Sequence, residues 1–300
     1  MVSRALGGTT ASRALVRRGF LLRKLYADLV GPDGDVVIAY LAWLRVAGVH
    51  IPYGAVEHYL PDGRREVLRG RPIAGAPRRL PDGGMEYSIA TRDGRIFRLV
   101  HRAPTPTWHP ADPPISSRVH WHVAVPSARA EVSWDDKGSG AATRLAGFGY
   151  SDWVWLRLPP RLLGLRRLQW GRVHLPDRTV VFNTVDRSNG ARWARVAEWR
   201  VGGDPRPVEI FVDGAPRTDR PHGEPGAWTI PAPGGAVALE PLRVLHEGEP
   251  LDTDRFPDMF ERWGSRVANG RADEIRWLST ARDAAGTTGM AVHESVRFGR

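Results

Sequence analysis

The chain has 300 residues, of which 42% are hydrophobic and 25% charged, as in folded globular proteins and unlike disordered ones. It contains no cysteine, which excludes disulfides, thiolate nucleophiles and cysteine-ligated metal centres. No run approaches the roughly 20 apolar residues of a membrane-spanning helix. The formal net charge is +10, but arginines carry nearly all of it and are scattered among acidic residues. Because nucleic-acid binding needs clustered basic residues, we expect no nucleic-acid partner.

Residues 1 to 25 form a basic segment without an acidic residue. Its apolar positions are too interrupted for the apolar core of a secretory signal, so a cytoplasmic protein is expected. Three interpretations stay open: a disordered or loosely packed arm, which is favoured, an organelle transit peptide, and an arm that touches an anionic membrane surface. The last would make the protein membrane-associated.

Beyond this arm, β-branched and aromatic runs alternate with turn sequences such as Asp33-Gly34 and Asp93-Gly94. The predicted strands, in chain order, cover residues 36–43, 46–59, 66–68, 85–91, 96–101, 119–124, 130–134, 147–155, 168–174, 179–185, 194–201, 208–212, 227–230, 236–246, 275–278 and 290–298. The spacing of Phe256, Phe260 and Trp263 predicts a short helix over residues 257–265. Regular strand spacing of this kind predicts an all-β barrel or sandwich.

The densest signal lies between Gly147 and Val185. It reads Gly147-Phe148-Gly149-Tyr150-Ser151-Asp152 and, after a loop rich in proline, leucine and arginine, Trp170-Gly171-Arg172-Val173-His174. Since side chains alternate between the faces of a strand, Tyr150 and Asp152 share one face. A carboxyl on an apolar strand is costly to bury unless it is hydrogen-bonded or used in chemistry. Asp152 is therefore the first candidate for function.

The same residues carry a family resemblance. The pattern G-x-G-Y-x-D followed by W-G-R-V-H resembles the hydroxyneurosporene synthase (carotenoid 1,2-hydratase) group of lipocalin-like proteins, whose relatives include natural-product cyclases and Diels–Alderases. The likeness extends over residues 25 to 298. It implies an all-β fold with two lipocalin-like β-barrel halves around an apolar cavity. The implied division is a basic arm (1–25), an N-terminal barrel (26–145) and a C-terminal barrel (146–300).

The resemblance also implies an enzyme. The preferred function is a cofactor-free cyclase acting on a hydrophobic polyene, terpenoid or polyketide-derived substrate. One alternative is hydratase-type addition of water to an alkene, and another is a non-catalytic carrier of lipid or pigment. The hydratases usually continue the motif with polar residues, whereas here Trp153, Val154 and Trp155 follow Asp152. This departure favours cyclisation in a dry pocket over the addition of water.

Three residues are catalytic candidates. Desolvation on an aromatic-walled strand would raise the pKa of Asp152 and make it a proton donor, with Tyr150 orienting it. The alternative is that Asp152 is a structural acceptor for backbone amides or for Arg172. Glu57 is a second acid or base if it points inward, and a solvated edge residue if it points outward; Glu294 in the last predicted strand has the same ambiguity.

The twelve tryptophans predict an aromatic pocket, whose π faces would stabilise a cationic or polyene intermediate, although aromatic strand residues also form ordinary core. The expected substrate-binding residues are Trp43, Tyr53, Trp121, His122, Trp153, Trp155 and Trp170. His120 and His122 have a metal-chelating spacing, but no companion motif accompanies them, so no metal is expected. His174 is expected to fix the geometry between strands, with Arg172 in an ion pair. The oligomeric state stays open.

Overall fold

The structure is a computed structural model that describes residues 19–46, 48–102, 105–110, 118–135, 142–204, 206–212, 217–218, 226–249 and 272–299. Within these residues the chain forms two antiparallel sheets. The strands of the first sheet are β1 (Leu21–Val30), β2 (Val36–Val46), β3 (Val49–Tyr59), β4 (Arg65–Pro72), β5 (Arg78–Arg79), β6 (Met85–Thr91), β7 (Ile96–Arg102), β8 (Val119–Asp135) and β9 (Ala142–Leu156).

A 3₁₀ turn (Pro160–Leu162) lies between the two sheets in the chain. The strands of the second sheet are β10 (Leu165–His174), β11 (Arg178–Arg187), β12 (Arg192–Arg200), β13 (Val208–Phe211), β14 (Arg217–Thr218), β15 (Trp228–Ile230), β16 (Val237–Gly248), β17 (Ala272–Asp283) and β18 (Thr288–Phe298). In the described part of the chain, no helix is long and apolar enough to cross a membrane.

The first sheet closes on itself. Its strands follow the order β4-β3-β2-β1-β9-β8-β7-β6-β5, and β4 also pairs with β6, so that eight strands form a barrel. The second sheet follows the order β13-β12-β11-β10-β18-β17-β16-β15-β14 and curls into a half-barrel. The prediction of an all-β chain with two lipocalin-like halves is confirmed.

The strand pairing places the boundaries of the two halves at other residues than those predicted from the sequence. β1 begins at Leu21, so residues 21–25 belong to the first barrel and not to the arm. The basic residues before Leu25 indicated an arm separate from the fold. In the structure one of them, the exposed Arg23 of β1, lies over the Trp153 and Trp155 rings of the same sheet. The expected boundary at 145/146 falls inside β9, which pairs with β1 and β8 of the first sheet. Residues 1–18 and the predicted helix over 257–265 lie outside the described residues.

Alternation along β9 divides the core in two. Ser151 and Trp153 face the barrel interior, where the Ser151 and Tyr87 hydroxyls lie 2.8 Å apart and apolar side chains fill the space. Tyr150 and Val154 face the other way and pack with side chains of the second sheet. The barrel interior is therefore filled by side chains, and the face of β9 that carries Tyr150 meets the second sheet.

Candidate active site between the two sheets

A cavity of about 70 Å³ lies between the sheets. Its walls come from β1, β8 and β9 on one side and from β10, β11 and β18 on the other, and consist of Lys24, Tyr26, Trp121, Asp152, Val154, Leu168, Trp170, Asn183 and Glu294. The lining residues of β10, β11 and β18 stand side by side, because Trp170 pairs with Asn183 and with Glu294. The resemblance implied an apolar cavity, whereas this one combines apolar and aromatic side chains with Lys24, Asp152, Asn183 and Glu294.

Asp152 forms part of the buried wall, with only 5% of its surface exposed. Its Oδ2 atom accepts hydrogen bonds from the Tyr150 hydroxyl at 2.9 Å and from Trp121 Nε1 at 3.1 Å. Both donors bind Oδ2, so Oδ1 has no hydrogen-bond partner among the described residues and is the oxygen available to a bound molecule. Burial raises the pKa of Asp152 to about 7, against the opposing effect of the two hydrogen bonds and of Lys24.

Tyr150 holds this carboxyl in place. Its hydroxyl donates to Asp152 and accepts a hydrogen bond from Trp170 Nε1 at 3.4 Å, so it links the two sheets. Burial and the neighbouring Asp152 charge raise the pKa of Tyr150 well above its ordinary value. The phenol therefore stays protonated and donates its hydrogen bond to Asp152.

Arg172 forms an ion pair, as expected, but its partner is Asp28 and not Asp152. The guanidinium donates through Nε at 3.0 Å and Nη2 at 2.8 Å to the two oxygens of Asp28, and both side chains are fully buried. Asp28 also accepts from the Tyr26 hydroxyl at 2.8 Å and from the Tyr150 backbone N–H at 3.1 Å. A bidentate ion pair of this kind holds the second sheet against the first. The alternative in which Asp152 serves Arg172 is wrong.

Glu57 points inward, but it lies in a charged cluster rather than in the cavity wall. It accepts hydrogen bonds from Arg65 at 2.6 Å, from the Tyr59 hydroxyl at 2.5 Å and from Arg276 at 3.4 Å. Burial alone would raise the pKa of Glu57, but Arg276 and Arg65 outweigh it, and the pKa is lowered overall. Glu57 is therefore an ionised carboxylate at neutral pH and no proton donor.

Glu294, which does line the cavity, is connected to the same cluster. Its Oε2 atom accepts a hydrogen bond from Arg276 Nε at 3.1 Å. Arg276 also contacts Glu274 and lies 5.7 Å from the centre of the Tyr40 ring. Arg276 thus connects Glu57 on the first sheet with Glu294 in the wall of the cavity.

The structure separates the predicted aromatic residues into two sets. Trp121 and Trp170 line the Asp152 cavity, and Tyr53 is half-buried against the same interface cluster. Trp43 and Trp153 stack at 5.8 Å against the packed barrel interior. The reason is the parity of the strand positions, since Trp153 is one residue removed from Asp152 and faces the opposite side.

Trp155 and His122 also lie away from the Asp152 cavity. Trp155 is 37% exposed, with Arg23 at 5.1 Å from its ring centre. His122 stacks on His109 at 4.5 Å, and burial, followed by the His109 charge, lowers the pKa of His122 to about 4. No group of three or more histidines and carboxylates in the described ranges is placed to hold a metal ion.

Among the lining residues with polar groups, Lys24, Tyr26 and Asn183 were not singled out from the sequence. The Lys24 ammonium lies 4.6 Å from the centre of the Tyr40 ring, and the Tyr26 ring packs on Trp170 at 5.0 Å. Polar groups at positions 24, 26 and 28 repeat every second residue, which is the spacing of one strand face. That signal would have found two of the three residues if the first strand had been recognised.

No protein-family model and no curated protein sequence matches the chain. Solved structures do match. A candidate AttH protein from Nitrosomonas europaea aligns with a TM-score of 0.63 and 14% identity, over 100% of this chain and 99% of that chain. The structure of CghA with Sch210972 aligns with a TM-score of 0.60 and 12% identity, over 93% of this chain and 89% of that chain. Kievitone hydratase from Nectria haematococca aligns with a TM-score of 0.49 and 12% identity, over 96% of this chain and 92% of that chain.

At these identities the likeness to the AttH candidate and to CghA shows a shared fold. Nearly the whole of each chain is covered, so the likeness includes both β halves. The structural resemblance predicted from the G-x-G-Y-x-D and W-G-R-V-H motifs is confirmed at this level.

Proposed function

We propose that the protein is an enzyme that uses Asp152 as a general acid on a hydrophobic small molecule, and that the reaction is a cofactor-free cyclisation of a polyene, terpenoid or polyketide-derived substrate. One observation carries the proposal: the Asp152 carboxyl is buried in the wall of the cavity, and this burial raises its pKa to about 7. Such a group is protonated in a large share of molecules at neutral pH, and it can donate to an alkene or a carbonyl.

The hydrogen bonds around Asp152 fit this role. The proton resides on Oδ1, since Tyr150 and Trp121 both donate to Oδ2. After the proton moves to the substrate, the same two donors stabilise the carboxylate that remains. The rings of Trp121 and Trp170 line the same cavity and stabilise a carbocation through their π faces. Loss of a proton from the cyclised cation to Oδ1 restores the acid, so no proton is consumed.

The size of the cavity indicates how a substrate binds. At about 70 Å³ it is far smaller than the roughly 300–1,000 Å³ of pockets that enclose a whole ligand. It therefore takes the reacting end of the substrate. Val154 and Leu168 at the wall, with Tyr53 and Trp193 beside them, are half-buried apolar side chains suited to the hydrophobic remainder. The structure of CghA with Sch210972 supports a small-molecule site in this fold.

Water addition to an alkene is the second candidate, and a specific observation favours it. Lys24, Asn183 and Glu294 line the cavity together with Asp152 and give it several hydrogen-bonding groups. A polar cavity of this volume holds one or more ordered waters. In this reaction a water held by Asn183 or Glu294 attacks the cation and returns a proton to Asp152, so that the product gains one water.

Replacing Asp152 by asparagine tests the proposal with a panel of polyene and polyketide-derived substrates. Asparagine keeps the size of the side chain but has no acidic proton, so turnover should fall roughly a hundred-fold or more while substrate binding persists. Asp35→Asn is the matched control, because Asp35 pairs with His58 at 2.7 Å away from the cavity. Normal turnover in a folded Asp152→Asn protein would refute the acid role. Binding without any turnover in the wild type would indicate a carrier. Mass spectrometry separates cyclisation, which conserves mass, from water addition.

A further inference from the structure

A second concavity, of about 940 Å³, opens at one end of the second sheet. Its wall carries four arginines, Arg166, Arg167, Arg192 and Arg297, and a single carboxylate, Asp186. Nothing in the proposed reaction uses these side chains. A volume of this size is sufficient for a small organic ligand.

The strand register brings these charges into one row. Arg167 on β10 pairs with Asp186 on β11 and with Arg297 on β18, and Asp186 pairs in turn with Arg192 on β12. Asp186 forms ion pairs with Arg167 at 3.4 Å and with Arg192 at 2.6 Å. Four neighbouring strands therefore present charged groups at one end of the sheet.

Positive charge exceeds negative charge in this row, where four arginines are accompanied by Asp186 and by Asp273, which lies opposite Arg297 on β17. Neither Arg166 nor Arg297 forms an ion pair with a carboxylate among the residues that the structure describes. Arg297 stands directly opposite Arg167, and like charges in opposite positions of a sheet are destabilising. An exposed arginine by itself is an ordinary solvated residue, but a concave row of arginines with excess positive charge attracts anions. An anion bound among these side chains would remove the repulsion.

A β-bulge adds to the arrangement. The register shifts between Leu165 and Arg167, and both Arg166 and Arg167 line the concavity although they are consecutive. Regular alternation would send one of them to the opposite face, and bulges are known to redirect side chains in this way. Leu165 and Phe298 are half-buried at the same concavity and supply apolar surface beside the charges.

We propose that this concavity binds an amphipathic anion, with a phosphate or carboxylate head held by Arg166, Arg167 and Arg297 and an apolar body against Leu165 and Phe298. The planar guanidinium group can donate two parallel hydrogen bonds to a phosphate or to a carboxylate, in bidentate geometry. The site is separate from the Asp152 cavity, because Arg167 lines one space and its neighbour Leu168 lines the other.

Isothermal titration calorimetry with octyl phosphate, octanoate and inorganic phosphate tests this site on the full chain. At least one of the two amphiphiles should bind more tightly than inorganic phosphate, and the tighter of the two identifies the head group. Arg166→Ala and Arg297→Ala should each weaken that binding about tenfold or more, since each removes a charge-assisted hydrogen bond. Arg166 and Arg297 are exposed, so the variants should keep the melting temperature of the wild type.

Arg282→Ala is the matched control. Arg282 is an exposed strand arginine of the same sheet, opposite Thr288 at the other end of β18. Arg282→Ala should leave the affinity unchanged. Asp152→Asn should also leave it unchanged, because a loss of turnover in that variant tests the proposed enzyme reaction and not this anion site. Equal weakening by Arg282→Ala would show attraction by overall charge and overturn the site. So would the absence of binding by both amphiphiles, or binding of inorganic phosphate at equal affinity.

Discussion

Replacing Asp152 by asparagine should change how the stability of the protein depends on pH. Burial raises the pKa of Asp152 from 3.8 to about 7 in the folded state. The folded chain therefore holds this proton at pH values where the unfolded chain has released it. The contribution of Asp152 to stability is complete below about pH 4 and is lost as pH rises through about 7.

The size of the effect follows from the difference between the two pKa values. Each pH unit of difference corresponds to about 1.4 kcal/mol, so the rise from 3.8 to about 7 corresponds to roughly 4 kcal/mol. Asparagine does not titrate. The free energy of unfolding of the wild type, minus that of Asp152→Asn, should therefore fall by about this amount between roughly pH 4 and pH 9.

Urea denaturation of both proteins across this range measures the difference, in which the titrations of groups that do not interact with Asp152 cancel. The control pair, wild type and Asp62→Asn, should show no comparable decline around pH 7, because Asp62 is exposed and its hydrogen bonds with Arg64 lower its pKa. Parallel curves for wild type and Asp152→Asn would mean that Asp152 has an ordinary pKa, and the proposed acid would lose its basis. Turnover of the wild type should also decline as pH rises through about 7, because the acid loses its proton. An increase in turnover over that range would point to a base instead.

Three further outcomes are expected. Arg172→Met leaves the buried Asp28 carboxylate unpaired and should lower the free energy of unfolding by about 3–5 kcal/mol in urea titrations, whereas a change below about 1 kcal/mol would show that the pair does not join the sheets. Trp121→Phe removes a hydrogen bond that lowers the pKa of Asp152, so the alkaline limb of the pH–rate profile should move to higher pH, and a move to lower pH would contradict the geometry. A chelator should leave turnover unchanged, and activity restored by one divalent ion would disprove the metal-free mechanism.

Alternation along the central strand could be predicted from the sequence because it depends only on local geometry. Tyr150 and Asp152 share the face that the pattern predicted, and Asp152 has the raised pKa expected for a buried carboxyl. The partner of Arg172 could not be predicted, since Asp28 is 144 positions away in the chain. Only the pairing of β1 with β9 brings Asp28 and Tyr150 side by side.

The aromatic residues show a different limit. Residue type made Trp121, Trp153 and Trp170 equal candidates, but the position of each in its strand decides which face it occupies. The parity of Trp153 relative to Asp152 was available in the sequence and excludes it from the acid's face. Lys24 was missed for another reason: a run of basic residues obscured a strand whose alternate positions carry the polar side chains of the cavity.

The acid of the cavity and part of the cavity wall come from different sheets. The donors to the Asp152 carboxyl, Tyr150 and Trp121, both belong to the first barrel. Leu168 and Asn183 reach the cavity from the second sheet and make no hydrogen bond to that carboxyl. Substitutions at these two positions can therefore change the shape offered to a substrate while both hydrogen bonds to the acid persist. A lineage with this architecture can acquire new substrates through one sheet and retain its chemistry in the other.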